Sequence, residues 1–155
     1  MSEAFEKILE LEKELELSSF SHEDALALGL AAVEYICKAK KPGVYIEIHK
    51  GETIVFSHCM KGASTDNRLW AQRKLRTVAQ FEHSTLYAAE KFRIRGRSFY
   101  DYYTPQEYQC AGGGFPIIVV GTGMVGMIGV SGLTAEEDHE VCIQALRSLV
   151  AQKQC

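Results

Sequence analysis

Residues 111–140 read AGGGFPIIVVGTGMVGMIGVSGLTAEEDHE, and two folds compete for them. Gly121, Gly123 and Gly126 fit G-x-G-x-x-G behind the apolar run 117–120, which nominally spells a dinucleotide-binding turn. That turn works only if a helix opens inside the glycine loop, aiming its amides at the pyrophosphate, and if a second strand about 20 residues on brings an acid to the ribose. Neither requirement is met. Met127-Ile128-Gly129-Val130 is β-branched and broken by glycine, a poor helix start. The first strong helix opening is Thr134, which with Glu137 makes a T-x-x-E capping box. Gly121-Thr122-Gly123 therefore reads as a hairpin turn between antiparallel strands, followed by a helix over about 135–152. On the second strand Gly126, Ile128 and Val130 share one face, and Val125, Met127, Gly129 and Ser131 the other. Each face has a bare position, which weakens a sheet unless another backbone, a subunit or a flat ligand approaches there.

Working outward, Phe5, Ile8, Leu9 and residues 12–15 give an amphipathic helix within 1–17 that docks on something. Ser21 with Asp24 opens a second helix over 21–40, which Pro42-Gly43 ends. Residues 44–48 and 53–57 are strands joined by a four-residue hairpin link, His49-Lys50-Gly51-Glu52. Residues 66–92 lack glycine and proline and place Trp70, Thr77, Val78, Phe81, Thr85, Ala88 and Phe92 at spacings of three and four, predicting one long helix bent near Ser84-Thr85. Lys74 falls within that stripe, either snorkelling to water, carrying a depressed pKa or pairing with a buried anion. The tyrosine-rich connection after it, Tyr100, Tyr102, Tyr103 and Tyr108 around Pro105, reads as an irregular segment covering an edge or pocket. Strand pairs joined by short turns place the chain in the α+β class with an antiparallel sheet.

At 155 residues and 46% hydrophobic, the chain suits one domain with an ordinary core. It shows no membrane-length apolar run, and an acidic start where a secretory signal would be basic, so a soluble, cytoplasmic protein is expected. Cys37, Cys59, Cys110, Cys142 and Cys155 are scattered without C-x-x-C, which argues for buried free thiols, with Cys155 the most exposed. A net charge of −3 argues against general nucleic-acid affinity, yet the charge is segregated. Residues 1–17 hold six glutamates against two lysines, and residues 68–97 hold eight Lys/Arg against Glu82 and Glu90. The two segments meet, within a subunit or across an interface, or else the basic one forms an anion site.

Four ordered motifs then coincide. Asp66-Asn67-x-x-Trp70-x-x-Arg73-Lys74, Phe81-x-His83-Ser84-Thr85, Gly112-Gly113-x-Phe115-Pro116-Ile117, and Val130-Ser131-Gly132-Leu133 followed by Asp138-His139 span nearly the whole chain. In them the sequence resembles the small HbpS/GlcG-like family called the haem-degrading domain. The resemblance implies a profilin-like or PAS-like fold, an antiparallel sheet of about five strands flanked by helices, and a homo-oligomer. It also implies haem as a candidate cofactor, since some relatives bind haem or free iron, one group serves as accessory to a two-component sensor, and others are fused to cobalamin-handling enzymes. One departure stands out: the family's HGG-x-FPI pattern has histidine where this chain has Ala111.

The candidate ligand-binding residues are Asp66, Asn67, Trp70, Arg73, Lys74, Gly112, Gly113, Phe115, Ser131 and His139. Asp66 can cap its helix, and Trp70 and Lys74 are stacked at i, i+4 with Arg73 beside them. Such a set can hold a carboxylate or phosphate by charge-assisted hydrogen bonds while Trp70 stacks on a flat group; equally, it can bridge subunits. His139 sits in the first turn of the last helix, where the macrodipole lowers its pKa, and a neutral imidazole there can ligate iron, act as a base or bond across an interface. No histidine pair has zinc-site spacing, so no metal site is assigned. Ser131 lacks the last glycine of a nucleophile elbow. Three functions remain: a homo-oligomeric module for a haem-like or other planar anion, an assembly scaffold without small ligand, and a redox or detoxifying enzyme.

Overall fold

The computed structural model describes residues 2–154, so the expectation for Cys155 lies outside the described residues. In chain order the elements are α1 (Glu3–Glu14), α2 (His22–Lys38), β1 (Tyr45–Lys50), β2 (Thr53–Cys59), α3 (Thr65–Phe81), α4 (Thr85–Ile94), a 3-10 turn (Phe99–Asp101), β3 (Gly114–Val119), β4 (Gly123–Ser131) and α5 (Ala135–Lys153). The stretch that decides the fold is a hairpin: β3 and β4 pair antiparallel, and Gly121 and Gly123 turn the chain with φ of 79° and 109°. β1 pairs antiparallel with β4 and with β2, giving the order β2-β1-β4-β3. The sheet has four strands among the described residues, not about five. On the outer side of β3 stands only the single bridge of Leu17 to Val119.

Alternation sorts the sheet into two faces. Ile46, Ile48, Phe115, Ile117, Ile128 and Val130 are buried with Leu28, Ala32 and Ile36 of α2 and Val141, Leu146 and Leu149 of α5 in the main core. α2 lies so close that a Cβ on Gly29 would come within 2.4 Å of the Phe56 ring. α3 packs on the opposite face. There the bare position at Gly129 is filled by Leu75, whose Cγ would be 2.8 Å from an added Cβ, while Gly126 admits the backbone carbonyl of His49. The protein itself occupies both gaps.

The long helix expected over residues 66–92 is two helices. Glu82 adopts the left-handed conformation (φ 58°) and ends α3, and Ser84 caps α4 by accepting from Tyr87 N–H. No glycine or proline marks this break. It is held by Glu12 of α1, which accepts from His83 Nδ1 at 2.6 Å and from Ser84 Oγ at 2.9 Å. The acidic helix thus meets the basic segment within the chain, through Glu12, the Ser2–Glu90 hydrogen bond and the Phe5–Tyr87 ring contact rather than through the lysines and arginines. The capping boxes at Ser21/Asp24 and Thr134/Glu137 form as read. The cysteines depart from expectation: Cys142 is buried, but Cys37 and Cys59 are exposed. No helix among the described residues is long and apolar enough to cross a membrane.

Candidate functional site

The first turns of α3 and α5 converge on a cavity of about 280 Å³, lined by Asp66, Asn67, Trp70, Lys74, Ala111, Ser131, Gly132, Leu133, Ala135 and Asp138. The α3 cap is Ser64, not Asp66: Ser64 N–H donates to Asn67 Oδ1 at 2.9 Å, leaving Asp66 exposed in the first turn. Lys74 stands two turns in, 3% exposed, and does not snorkel. Its ammonium donates to Val130 O at 2.9 Å and to Asp138 Oδ2 at 3.1 Å. Lys74 comes from the layer on one face of the sheet and Asp138 from the layer on the other, so the pair clamps both around the end of β4.

Asp138 also accepts from Leu133 N–H at 3.0 Å and Gly132 N–H at 3.4 Å. Burial pushes its carboxyl above the ordinary aspartate value, and the Lys74 charge and these hydrogen bonds only partly offset that. The glycine loop explains itself here. Gly113 has φ 125°, and a Cβ on it would meet Val130 O at 2.4 Å and Lys74 Nζ at 2.7 Å; one on Gly112 would meet Ala135 O at 2.3 Å. Both are glycine because the loop presses onto the ion pair and the start of α5. The Gly113 carbonyl is engaged as well, accepting from Val130 N–H at 2.7 Å.

Of the sequence-derived candidates, Asp66, Asn67, Trp70, Lys74 and Ser131 line the cavity, as does Ala111, where the resemblance places a histidine. Gly112 and Gly113 are packed beneath it. Arg73 is not among the lining residues: its guanidinium lies over the Trp70 ring, 5.4 Å from the centroid. Phe115 is buried in the main core, its ring 5.7 Å from that of His139. His139 is buried too, and its Nδ1 has no hydrogen-bond partner among the described residues. Burial holds that imidazole below the ordinary histidine pKa, more than the charges of Glu140 and Glu12 raise it.

A second buried cluster escaped the sequence reading. Glu47 of β1, 2% exposed, accepts from Tyr45 O–H at 2.6 Å and Gln72 Nε2 at 3.2 Å, and its other oxygen lies 2.6 Å from His49 Nε2. Burial works to raise the Glu47 pKa, but the hydrogen bonds from His49, Tyr45 and Gln72 outweigh it and the net shift is downward. The available signal was a lone acid between isoleucines in Tyr45-Ile46-Glu47-Ile48, on the face opposite the aliphatic one. No three His, Cys, Asp or Glu side chains gather as a metal site among the described residues.

A family model described as haem degrading protein HbpS-like matches residues 20–147. A UPF0303 protein of Streptomyces coelicolor is 33% identical over 145 residues, covering 92% of this chain and 91% of the relative. Among solved structures, Ybr137w protein superposes with a TM-score of 0.88 at 26% identity, over 97% of this chain and 90% of that one. A PduOC:heme complex gives a TM-score of 0.71 at 22% identity, over 84% and 94%.

Proposed function

The chain belongs to the family of haem degrading HbpS-like proteins, and from that premise we propose that it is a homo-oligomeric module that binds a small planar anion at the cavity between α3 and α5. The observation that carries this reading is the wall itself: an indole face, a buried Lys74–Asp138 pair and the first turns of two helices on one cavity. Helix N-termini attract anions, and they matter here because Lys74 is already neutralised and two carboxylates line the cavity against one ammonium. Trp70, with Arg73 across its ring, supplies the flat surface.

Haem is the family's name-giving ligand, and its fit is partial. The lining offers no imidazole, thiolate, thioether or phenolate to iron, Ala111 standing where the resemblance expects histidine. A haem here would be held by its carboxylates and its ring. A cavity of about 280 Å³ lies at the small end of ligand sites, so a full tetrapyrrole needs a wall from a second copy of the chain. Assembly has its own support: Leu26 and Leu30, one turn apart on α2, and Ile54 on β2 are each more than half exposed. The whole chain acts as one module, α1 included.

Hemin titration with native mass spectrometry tests the reading. We expect a Soret shift on an oligomer and a roughly tenfold weaker affinity in Trp70→Ala, the size of one lost stacking contact, with Lys7→Ala unchanged. If hemin, porphyrins and small aryl carboxylates all bind the parent and Trp70→Ala equally, or not at all, the cavity is not the site.

A further inference from the structure

The tyrosine-rich connection forms a second, larger cavity that shares no lining residue with the first. It measures about 510 Å³ and is lined by Phe92, Arg95, Arg97, Tyr102 and Tyr103. No carboxylate lines it. Gly96, with φ 68°, reverses the chain at the end of α4 through its N–H to Arg93 O, and this turn sets Arg95 and Arg97 on the same cavity. Behind it is a small core of rings: Phe92 and Phe99 are buried, with centroids 5.5 Å apart, and Tyr103 lies stacked on Phe99 at 4.9 Å.

The two guanidiniums are what the packing leaves unexplained. The acids nearest in sequence do not serve them: Glu90 accepts from Arg93 Nε at 2.8 Å and from Ser2 Oγ, and Asp101, four residues beyond Arg97, forms no ion pair among the described residues. Neither Arg95 nor Arg97 has a carboxylate partner among the described residues. Arg97 is oriented by the Tyr102 hydroxyl and lies over that ring, 5.9 Å from its centroid. Cation–ring contact alone can explain an arginine on a surface tyrosine. It does not account for Arg95, which has neither a ring nor an acid partner among the described residues.

We propose that this cavity binds a small aromatic anion, its ring against Phe92 and the tyrosines and its anionic group forked between Arg95 and Arg97. Stacking and a guanidinium fork recognise different halves of one molecule. A nucleoside monophosphate is the ligand class that supplies both, a planar base and a phosphate. The proposal is independent of the Trp70 cavity.

Isothermal titration of the full-length protein with AMP, beside adenosine and inorganic phosphate as its separate halves, is the test. The expected result is saturable binding of one AMP per chain, with each half at least about tenfold weaker. Arg95→Gln, Arg97→Gln and Tyr102→Ala, all at exposed positions, should each weaken AMP by about tenfold while keeping the parental melting temperature. Trp70→Ala should leave AMP binding unchanged, which separates this site from the first. The proposal is overturned if AMP gives no saturable heat at millimolar concentration. It is equally overturned if phosphate binds as tightly as AMP, or if all three variants bind AMP like the parent.

Discussion

The two faces of the sheet are buried by different chemistry. Toward α2 and α5 the contacts are predominantly apolar, from Ile46 to Val130. Toward α3 the sheet buries Glu47 and reaches the Lys74–Asp138 pair at its end, with each charge matched by hydrogen bonds. An apolar face tolerates a small loss at any one position, because contact energy is spread over many atoms. A buried ionic face concentrates it: removing one partner strands the other in a low-dielectric site, although the intact pair itself adds little. The first face holds the fold together and the second fixes how the layers sit around the cavity.

The sharpest way to break this contrast is Asp138→Ala. With Lys74 left buried and unpaired, urea denaturation should show a loss of about 3–5 kcal/mol, and Lys74→Met added to it should recover most of that loss. If the single variant is as stable as the parent, the ammonium is not confined as described. On the aliphatic face, Ile128→Val removes one methylene from a fully buried side chain and should cost about 1 kcal/mol in the same experiment. The smallest effect is one of pH. Burial holds the His139 imidazole below the ordinary 6.5, so the unfolded chain takes up that proton first as pH falls. Its contribution to stability is therefore present above 6.5 and is lost as pH drops from there through the lower folded-state value. Melting temperatures between pH 7.5 and 5.5 (roughly a unit either side of that ordinary value) should fall less steeply in His139→Leu; parallel profiles would mean the imidazole takes up its proton equally in both states.

What was legible followed the same divide. The aliphatic face showed itself through alternation in Gly126, Ile128 and Val130, and the hairpin through Gly121 and Gly123, because periodicity and positive φ are local properties. Ser21 and Thr134 announced their helices three residues ahead of their acids. The break between α3 and α4 left no such mark: Glu82 carries a left-handed backbone without being glycine, stabilised by Glu12 from seventy residues upstream. Lys74 was visible on an apolar stripe, but its partner Asp138 lies 64 residues away and only the folded chain joins them. Arg73 and His139 were adjacent in sequence to residues that line the cavity, and helix geometry turned them elsewhere. The fifth strand, which the resemblance implied, is not among the described residues, and four strands complete the sheet.

The bridge between Leu17 and Val119 gives the sheet unequal borders. Leu17 N–H donates to Ile118 O at 2.8 Å and Val120 N–H to Leu17 O at 2.9 Å, covering the C-terminal end of the β3 flank. Among the described residues β2, from Thr53 to Cys59, pairs only with β1, and it has neither proline nor lysine to discourage company. An incoming strand, from another copy or a foreign peptide, therefore finds its most open edge at β2, and two copies joined β2 to β2 would close into a pair instead of extending further.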